Sequence, residues 1–307
     1  MNHEPIEITT ALVRHLIDTQ FPQWKGLSIR PVALSGWDNR TFHLGKNMLV
    51  RLPSSKEYAA QVEKEQFWLP RLSRQLPLSI PVPLALGEPG EGYPWKWSIY
   101  RWIEGDSAAS APTIHLEQLA TDLAQFLNAL HRINASGGPL PGPHSFFRGG
   151  FLSVYDAETR QAITLLKNRI DDVTVTKIWE TALATSWQGP PVWVHGDISA
   201  GNLLIKNDRL CAVIDFGQLT IGDPACDLAI AWTLFRKESR HIFQATLHLD
   251  TDTWNRGRAW ALWKALIIAA GLVKSNTVEG TQCWQIIDEI IADYKRGLAD
   301  LSSRKDT

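Results

Sequence analysis

The pattern of apolar residues changes near residue 103, and this change limits the folds that the chain can adopt. Between residues 27 and 103, short β-rich runs separated by Gly, Asn and Asp surround one helical segment. After residue 105, apolar residues recur mainly at helical spacing, for example from Thr113 to Ile133. With 307 residues, the chain has the length of one large unit or of two coupled lobes. The pattern therefore predicts a small β-rich part followed by a larger helical part.

A cluster of short strands within the helical part carries the most informative polar residues. Asp197 follows an apolar run at residues 192–195, Asn202 comes five residues later, and Asp215 ends another apolar strand. A β-ribbon between Asn202 and Asp215 would bring these two residues to one edge. Carboxylate and amide oxygens are ligands that Mg²⁺ prefers, whereas a single nearby histidine, His195, suits Zn²⁺ poorly. The pattern predicts an oxygen-only magnesium site in a joint between lobes, and hence phosphate chemistry.

These motifs resemble those of a known enzyme family. H-G-D-x-x-x-x-N at residues 195–202, followed by I-D-F-G at residues 214–217, resembles the catalytic and metal-binding motifs of the aminoglycoside phosphotransferases, which share the protein-kinase fold. Residues 35–39 resemble the nucleotide loop of that family, and residues 222–229 resemble its G-D-P-x-x-D-L-A stretch. The resemblance implies an α+β, bilobal protein-kinase-like fold. Its small N-terminal nucleotide-binding lobe is expected at residues 1–103, and its mainly helical catalytic and acceptor-binding lobe at residues 104–307.

The resemblance also implies a role for each motif residue. Asp197 is expected to be the catalytic base, or the carboxylate that orients the substrate hydroxyl. Asn202 and Asp215 are expected to hold magnesium. His195 is expected to fix the catalytic loop, which Asp227 braces by hydrogen bonds.

The predicted phosphate site departs from the kinase pattern at two positions. Kinase-like proteins place a Lys on the third strand and pair it with an acid on the following helix. This chain has Arg51 there, with Glu65 or Glu63 as its partner, and arginine can bind phosphate bidentately. The nucleotide loop contains a single glycine, Gly36, instead of a glycine-rich signature. We expect Gly36, Arg51 and Glu65 to contribute to the binding of ATP or GTP.

Residues 98–105 resemble the hinge that meets the purine base in this family. The resemblance implies that backbone groups of Arg101 and Ile103 pair with the base edge, and that Tyr100 stands at the back of the pocket. Because members of the family differ in their choice between ATP and GTP, the bulky Tyr100 is expected to influence this choice. Plain core packing is the alternative role for Tyr100.

The motifs and the resemblance together predict a Mg²⁺-dependent small-molecule O-phosphotransferase. We expect transfer of the γ-phosphate of ATP or GTP to a hydroxyl of an aminoglycoside-like or other cationic antibiotic, with antibiotic resistance as the inferred role. The alternatives are a metabolite or macrolide kinase of the same fold and a nucleotide-binding pseudoenzyme. A protein kinase is disfavoured, because the chain has H-G-D where protein kinases have H-R-D.

Acceptor contacts are less well defined by the sequence. The candidates are acids on and before the last helices and four tryptophans, namely Asp250, Asp252, Asp288, Glu289, Asp293, Trp254, Trp260, Trp263 and Trp284. Helix caps and solvated faces are the commoner role for such acids, and core packing is the default for tryptophan.

Composition and charge exclude other classes of protein. The net charge of −1 and the sequence pI of about 6.8 differ from the basic balance of nucleic-acid-binding domains. Residues 1–103 hold 12 Lys and Arg against 9 Asp and Glu, and residues 104–307 hold 19 against 23, which favours a cationic acceptor on the helical side. Three cysteines without C-x-x-C spacing fit a reducing compartment, and the most apolar window, residues 259–273, is too short to span a membrane. We expect a cytoplasmic protein that binds neither nucleic acid nor membrane, and nothing in the sequence indicates its oligomeric state.

Overall fold

The structure, a computed structural model, describes residues 7–33, 38–111 and 114–303. The chain forms two compact units. The first comprises residues 1–113, 142–146 and 201–219, and the second comprises residues 114–141, 147–200 and 220–307. The first unit contains a small antiparallel sheet and the second is mainly helical, so the predicted α+β fold is confirmed. The lobe boundary between residues 103 and 104 stays a prediction.

The regular elements of the described residues have the following bounds. The helices are α1 (Thr10–Gln20), α2 (Lys56–Leu72), α3 (Leu116–Arg132), α4 (Asp156–Leu166), α5 (Asp172–Leu183), α6 (Ile230–Thr233), α7 (Lys237–Leu247), α8 (Thr251–Ala269) and α9 (Thr277–Ser303). The strands are β1 (Ile29–Pro31), β2 (Asn39–Leu44), β3 (Met48–Pro53), β4 (Pro83–Gly87), β5 (Trp97–Arg101), β6 (Asp106–Ser107), β7 (Val192–Val194), β8 (Leu203–Lys206), β9 (Arg209–Val213) and β10 (Thr220–Gly222).

A five-stranded antiparallel sheet with strand order β1-β2-β3-β5-β4 forms the centre of the first unit. Val50 and Leu52 of β3 are fully buried in a core that includes Leu16 of α1 and Ile99 of β5. Because successive side chains of a strand point to opposite faces, Arg51 faces away from this core. Helix α2 contacts the sheet through β3, β4 and β5. The alternation of β3 therefore presents the cation of Arg51 to the acids of α2.

The ribbon predicted between Asn202 and Asp215 is present in the first unit. Strands β8 and β9 pair antiparallel, with Leu203 opposite Val213, and β6 flanks β8. The Ile214 amide donates to the Asn202 carbonyl at 2.9 Å, which closes the open end of the ribbon. Asn202 and Asp215 therefore lie at the same end.

The turn of this ribbon follows from two residues. Asn207 and Asp208 connect β8 to β9, and both have positive φ values, 53° and 58°. Two consecutive residues with positive φ are what a tight type I′ hairpin turn requires, and Asn and Asp tolerate this conformation better than most residues. The turn sets the pairing register and so places the polar residues at the opposite end.

The second unit is built around α8, which packs against α4, α5, α6 and α9. Its tryptophans Trp254, Trp260 and Trp263 are buried, in agreement with the core role that is the default for tryptophan. The short strands β7 and β10 pair antiparallel, with Val194 opposite Thr220, and β7 leads directly into the H-G-D segment. Within the described part of the chain, every helix falls short of the length and apolarity that a bilayer span demands.

Candidate active site

Arg51 is the centre of an ion-pair cluster in the first unit. Its Nη1 lies 3.5 Å from Glu65 Oε1, and its Nη2 lies 2.9 Å from Asp215 Oδ1 and 3.8 Å from Asp38 Oδ2. Burial by itself lowers the pKa of Arg51, but Glu65 and then Asp215 outweigh burial and raise this pKa above its usual range. The guanidinium stays charged and links β3, α2 and the segment after β9.

Glu65 is the acid on α2 that pairs with Arg51. It is buried, and the hydroxyl of Tyr100 on β5 donates to its Oε2. Burial raises the pKa of Glu65, and the charge of Arg51 opposes this rise. The other acid considered from the sequence, Glu63, is exposed and pairs with Lys96 instead. Tyr100 is fully buried, and its ring centroid lies 5.8 Å from the guanidinium carbon of Arg51.

Asp38 contributes a carboxylate that the sequence analysis did not single out. The Asn39 side-chain amide donates to Asp38 Oδ2 at 2.9 Å. Burial and then the charge of Asp215 raise the pKa of Asp38, while Arg51 opposes the rise. Gly36, predicted to lie in the same nucleotide loop, is outside the described residues, so its role stays a prediction.

Lys64 is a second residue that the sequence did not signal. Its Nζ donates to the Gly217 carbonyl at 2.7 Å and lies 3.1 Å from His144 Nδ1. Burial lowers the pKa of Lys64 to about 8. The contact joins α2 to the D-F-G segment that carries Asp215, across 153 residues of chain. A separation of this size leaves no local pattern for sequence analysis to find.

The hinge residues lie at the end of β5. The Arg101 amide donates to the Val82 carbonyl at 3.4 Å, and the Trp102 amide donates to the Asn47 carbonyl at 2.8 Å. Among the described residues, no hydrogen bond engages the backbone of Ile103. An open pocket of about 470 Å³ is lined by Trp102 and the residues after Ile103, together with the β8–β9 turn. Neither Arg51 nor Asp215 lines this pocket, which is large enough for a small ligand.

Asn202 and Asp215 have the donor atoms that suit Mg²⁺. An amide oxygen and a carboxylate at one end of a ribbon match the preference of this ion for oxygen ligands, and the ion usually keeps waters and phosphate oxygens as its other ligands. Asp215 adopts φ 67°, a left-handed conformation that is uncommon outside glycine and frequent at functional sites. In the part of the chain that the structure describes, no cluster of three His, Cys, Asp or Glu offers another metal site. The assignment of a magnesium site therefore rests on the side-chain oxygens of Asn202 and Asp215.

Asp197 lies in the second unit, on a loop whose backbone is held by a buried acid. The amides of His195 and Gly196 donate to the two carboxylate oxygens of Asp227 at 2.8 Å and 2.7 Å. The Asp197 amide donates to His195 Nδ1 at 3.1 Å. Burial raises the pKa of Asp227, while His195 and both amides oppose the rise. Asp227 and His195 thus make the bracing contacts that the resemblance implies.

Comparison with known proteins identifies the family. A sequence profile described as the phosphotransferase enzyme family matches residues 28–260. No curated protein sequence matches the chain significantly. Among solved structures, the GDP complex of a mutant aminoglycoside 2′-phosphotransferase IIIa has a TM-score of 0.72 at 20% identity, covering 93% of this chain and 98% of its own.

Two further solved structures are similar. A GDP and kanamycin complex of an APH(2″) enzyme has a TM-score of 0.68 at 19% identity, covering 92% of this chain and 98% of its own. The macrolide 2′-phosphotransferase of Brachybacterium faecium has a TM-score of 0.59 at 17% identity, covering 90% and 97%. At such identities these structures establish a shared fold. The profile match covers well over half of the residues, and on that ground this chain belongs to the phosphotransferase enzyme family.

Proposed function

We propose that the chain is a Mg²⁺-dependent kinase of a small molecule, which moves the γ-phosphate of ATP or GTP to a hydroxyl group. The observation that carries the proposal is the cluster in which Arg51 contacts both Glu65 and Asp215. A partly buried, permanently charged guanidinium held by two acids is suited to anchor phosphate oxygens. Asn202 and Asp215 would hold the magnesium ion, which when bound would neutralise charge on the phosphates.

Asp197 acts on the acceptor hydroxyl in this proposal. Its carboxylate orients the hydroxyl and accepts its proton, while the acceptor oxygen bonds to the γ-phosphorus and the bond from that phosphorus to the bridging oxygen breaks. The nucleoside diphosphate leaves with the electrons of the broken bond. Positioning supplies most of the catalysis in such a transfer, so the bonds that fix the loop at Gly196 are part of the mechanism.

The hinge is proposed to bind the purine base. Backbone groups of Arg101 and Ile103 pair with the base edge, and Tyr100 forms the back of the pocket. The Tyr100 hydroxyl also donates to Glu65, so this side chain orients the acid that holds Arg51. A residue that shapes the base pocket is in this way connected to the phosphate anchor.

The acceptor is proposed to be an aminoglycoside-like or other cationic antibiotic. The excess of acids after residue 103 supports a cationic acceptor, and a similar solved structure contains kanamycin. A macrolide is the second candidate, because the chain also shares its fold with a macrolide 2′-phosphotransferase. A cytoplasmic location, where ATP and GTP are available, and a role in resistance complete the proposal.

An acceptor panel tests the proposed function. Purified protein is incubated with Mg²⁺, ATP or GTP, and kanamycin, gentamicin, streptomycin or a macrolide, and phosphate transfer is measured. We expect turnover of at least one acceptor and a loss of about 100- to 10,000-fold in kcat for Asp197→Ala. Glu117→Ala, which removes an exposed acid in the first turn of α3, is the matched control and is expected to retain full activity.

Two outcomes contradict parts of this proposal. If Asp197→Ala phosphorylates an acceptor at the wild-type rate, the role proposed for Asp197 is wrong. Nucleotide-dependent thermal stabilisation without turnover of any acceptor favours the pseudoenzyme alternative.

A further inference from the structure

Arg148 contacts the loop that carries Asp197. Its Nε donates to the Gly196 carbonyl at 3.1 Å, and 48 residues separate the two partners. Arg148 belongs to the Gly- and Phe-rich loop before α4, and both partners lie in the second unit. No motif that we identified in the sequence includes this arginine.

The contact acts on the peptide group that joins Gly196 to Asp197. The carbonyl oxygen of this group accepts from Arg148, and its N–H, which belongs to Asp197, donates to His195 Nδ1 at 3.1 Å. Side chains from two segments therefore hold both polar atoms of one peptide group. Rotation of this group changes the φ angle of Asp197 and moves its carboxylate.

Gly196 has no side chain whose contacts could fix its backbone conformation. Its φ is +88°, in the left-handed region that glycine adopts without strain and larger residues rarely adopt. Its N–H donates to Asp227 and its carbonyl accepts from Arg148. The carboxylate of Asp227 and the guanidinium of Arg148, from distant segments, thus fix the backbone of a glycine, the residue type with the largest conformational freedom.

The position of Arg148 is itself fixed by packing. Its guanidinium carbon lies 4.8 Å and 4.9 Å from the ring centroids of Trp260 and Trp263, both of which are buried. Cation–π contacts of this kind favour a planar cation over a flexible one. The carbonyl of the next residue, Gly149, accepts from the Asp223 amide at 2.8 Å, which holds the local backbone.

We propose that Arg148 is a positioning residue that holds the Gly196–Asp197 peptide group, and through it the Asp197 carboxylate, in the orientation required for phosphoryl transfer. The inference rests on the role proposed for Asp197. A guanidinium meets both demands at once, because it donates within its plane to the carbonyl while its delocalised charge lies near the centres of both indole rings. A lysine ammonium keeps the charge but lacks this planar donor geometry.

Kinetic measurements on Arg148→Lys and Arg148→Met test the proposal. We expect kcat to fall by about 10- to 100-fold in both variants, the size of effect that misplacement of a reacting group produces, while the KM for nucleotide changes less than about twofold. Arg169→Met is the matched control. The Arg169 guanidinium also lies over an indole, with its carbon 4.1 Å from the Trp284 centroid, but among the described residues its hydrogen bond goes from its amide to the Leu166 carbonyl and not to the catalytic loop. The control is expected to keep wild-type kcat.

Hydrogen exchange gives a readout that does not depend on activity. Mass spectrometry of a peptide covering residues 195–199 is expected to show faster amide exchange in Arg148→Lys than in the wild type, with exchange in α3 unchanged. Loop exchange at the wild-type rate, or a kcat within twofold of wild type in a folded Arg148 variant, overturns the inference. If Arg148→Met does not fold, the kinetics and hydrogen exchange of Arg148→Lys alone test the proposal.

The two proposals fail in different ways. A wild-type protein that phosphorylates no acceptor contradicts the proposed function. The exchange rate of the 195–199 peptide still tests the positioning role in that case, since faster exchange in Arg148→Lys supports it and unchanged exchange overturns it.

Discussion

Two partly buried cations hold the segment that carries Asp215. Arg51 Nη2 lies 2.9 Å from Asp215 Oδ1, and Lys64 Nζ donates to the Gly217 carbonyl at 2.7 Å. Arg51 has acidic partners that compensate its burial, whereas the direct contacts of Lys64 are a histidine and backbone carbonyls. Burial of a charge without a close counter-ion is unfavourable, so Lys64 and Arg51 respond differently to pH.

The free energy of unfolding is expected to depend on pH through Lys64. Burial lowers its pKa from 10.5 to about 8, so the unfolded chain binds more protons than the folded one between these values. The penalty for the buried charge is fully present below pH 8, and stability therefore rises as the pH increases from 8 to 10.5. Lys64→Met is expected to lose this rise. Urea unfolding at several pH values measures the difference between the two proteins.

Lys56→Met is the control for this prediction. Lys56 is an exposed lysine at the start of the same helix, and its replacement is expected to leave the pH dependence unchanged. If the free energy of unfolding depends on pH in the same way in the wild type and in Lys64→Met, the prediction is wrong.

Residue-level prediction from sequence succeeded where the chain brings its own partners together. Asn202 and Asp215 flank a local ribbon, so their proximity followed from strand signals alone. Lys64 and Arg148 act on carbonyls that lie 153 and 48 residues away, and a backbone carbonyl leaves no trace in a sequence. Glu289 and Asp293, considered as acceptor contacts, pair with Arg240 at 2.7 Å and 2.8 Å, and their role toward an acceptor stays a prediction. The sequence position of an acid on a helix does not predict whether a cation from another helix pairs with it.

Helix α8 depends on its N-cap. The Asp250 carboxylate accepts from the Thr253 amide and from the Thr253 hydroxyl, each at 2.8 Å. Asp250→Ala is expected to lower the free energy of unfolding by about 1 kcal/mol, because the amide of the first turn loses its acceptor. Denaturant unfolding measures this loss, and kcat is expected to stay at the wild-type value in the folded variant.

His115→Ala provides the matched control for this cap. His115 occupies the N-cap position of α3 but makes no capping hydrogen bond with its side chain. Its replacement is expected to change stability by less than about 0.5 kcal/mol. Equal effects of the two substitutions contradict the assignment of a capping role to Asp250.

The elements that local sequence signals indicate least clearly are short strands whose pairing comes from their neighbours. Strand β4 begins with Pro83 and ends with Gly87, two residues that are unfavourable in strands, yet it pairs with β5 along the edge of the sheet. Strand β10 has three residues and ends in Gly222. The partner strand and the edge position override these weak local signals, as β propensity depends on context.

At the scale of the whole molecule, the chain contributes separated segments to each unit. Residues 142–146 and 201–219 join the first unit although most of the surrounding sequence belongs to the second. The change in the pattern of apolar residues near residue 103 could not predict this, because the pairing of β8 with β6 is a long-range contact. As a result, Arg51, Asn202 and Asp215 belong to the first unit, while Asp197 and Arg148 belong to the second.

This division leads to a prediction that separates nucleotide binding from catalysis. A ligand that binds only the folded protein stabilises it by about 2.7 kcal/mol at a concentration 100 times its Kd, which for a chain of 307 residues corresponds to a rise in Tm of roughly 4 °C. We expect Mg²⁺ with a non-hydrolysable ATP or GTP analogue to produce this rise in the wild type and equally in Asp197→Asn. Arg51→Met and Asp215→Asn are expected to lose most of it, since they remove the phosphate anchor and a metal ligand, and EDTA is expected to reduce it in the wild type.

Scanning fluorimetry measures each shift against the same variant without nucleotide, which corrects for any change in stability that the substitution itself causes. A full shift in Asp215→Asn contradicts the metal assignment, and a lost shift in Asp197→Asn contradicts the assignment of Asp197 to the acceptor alone.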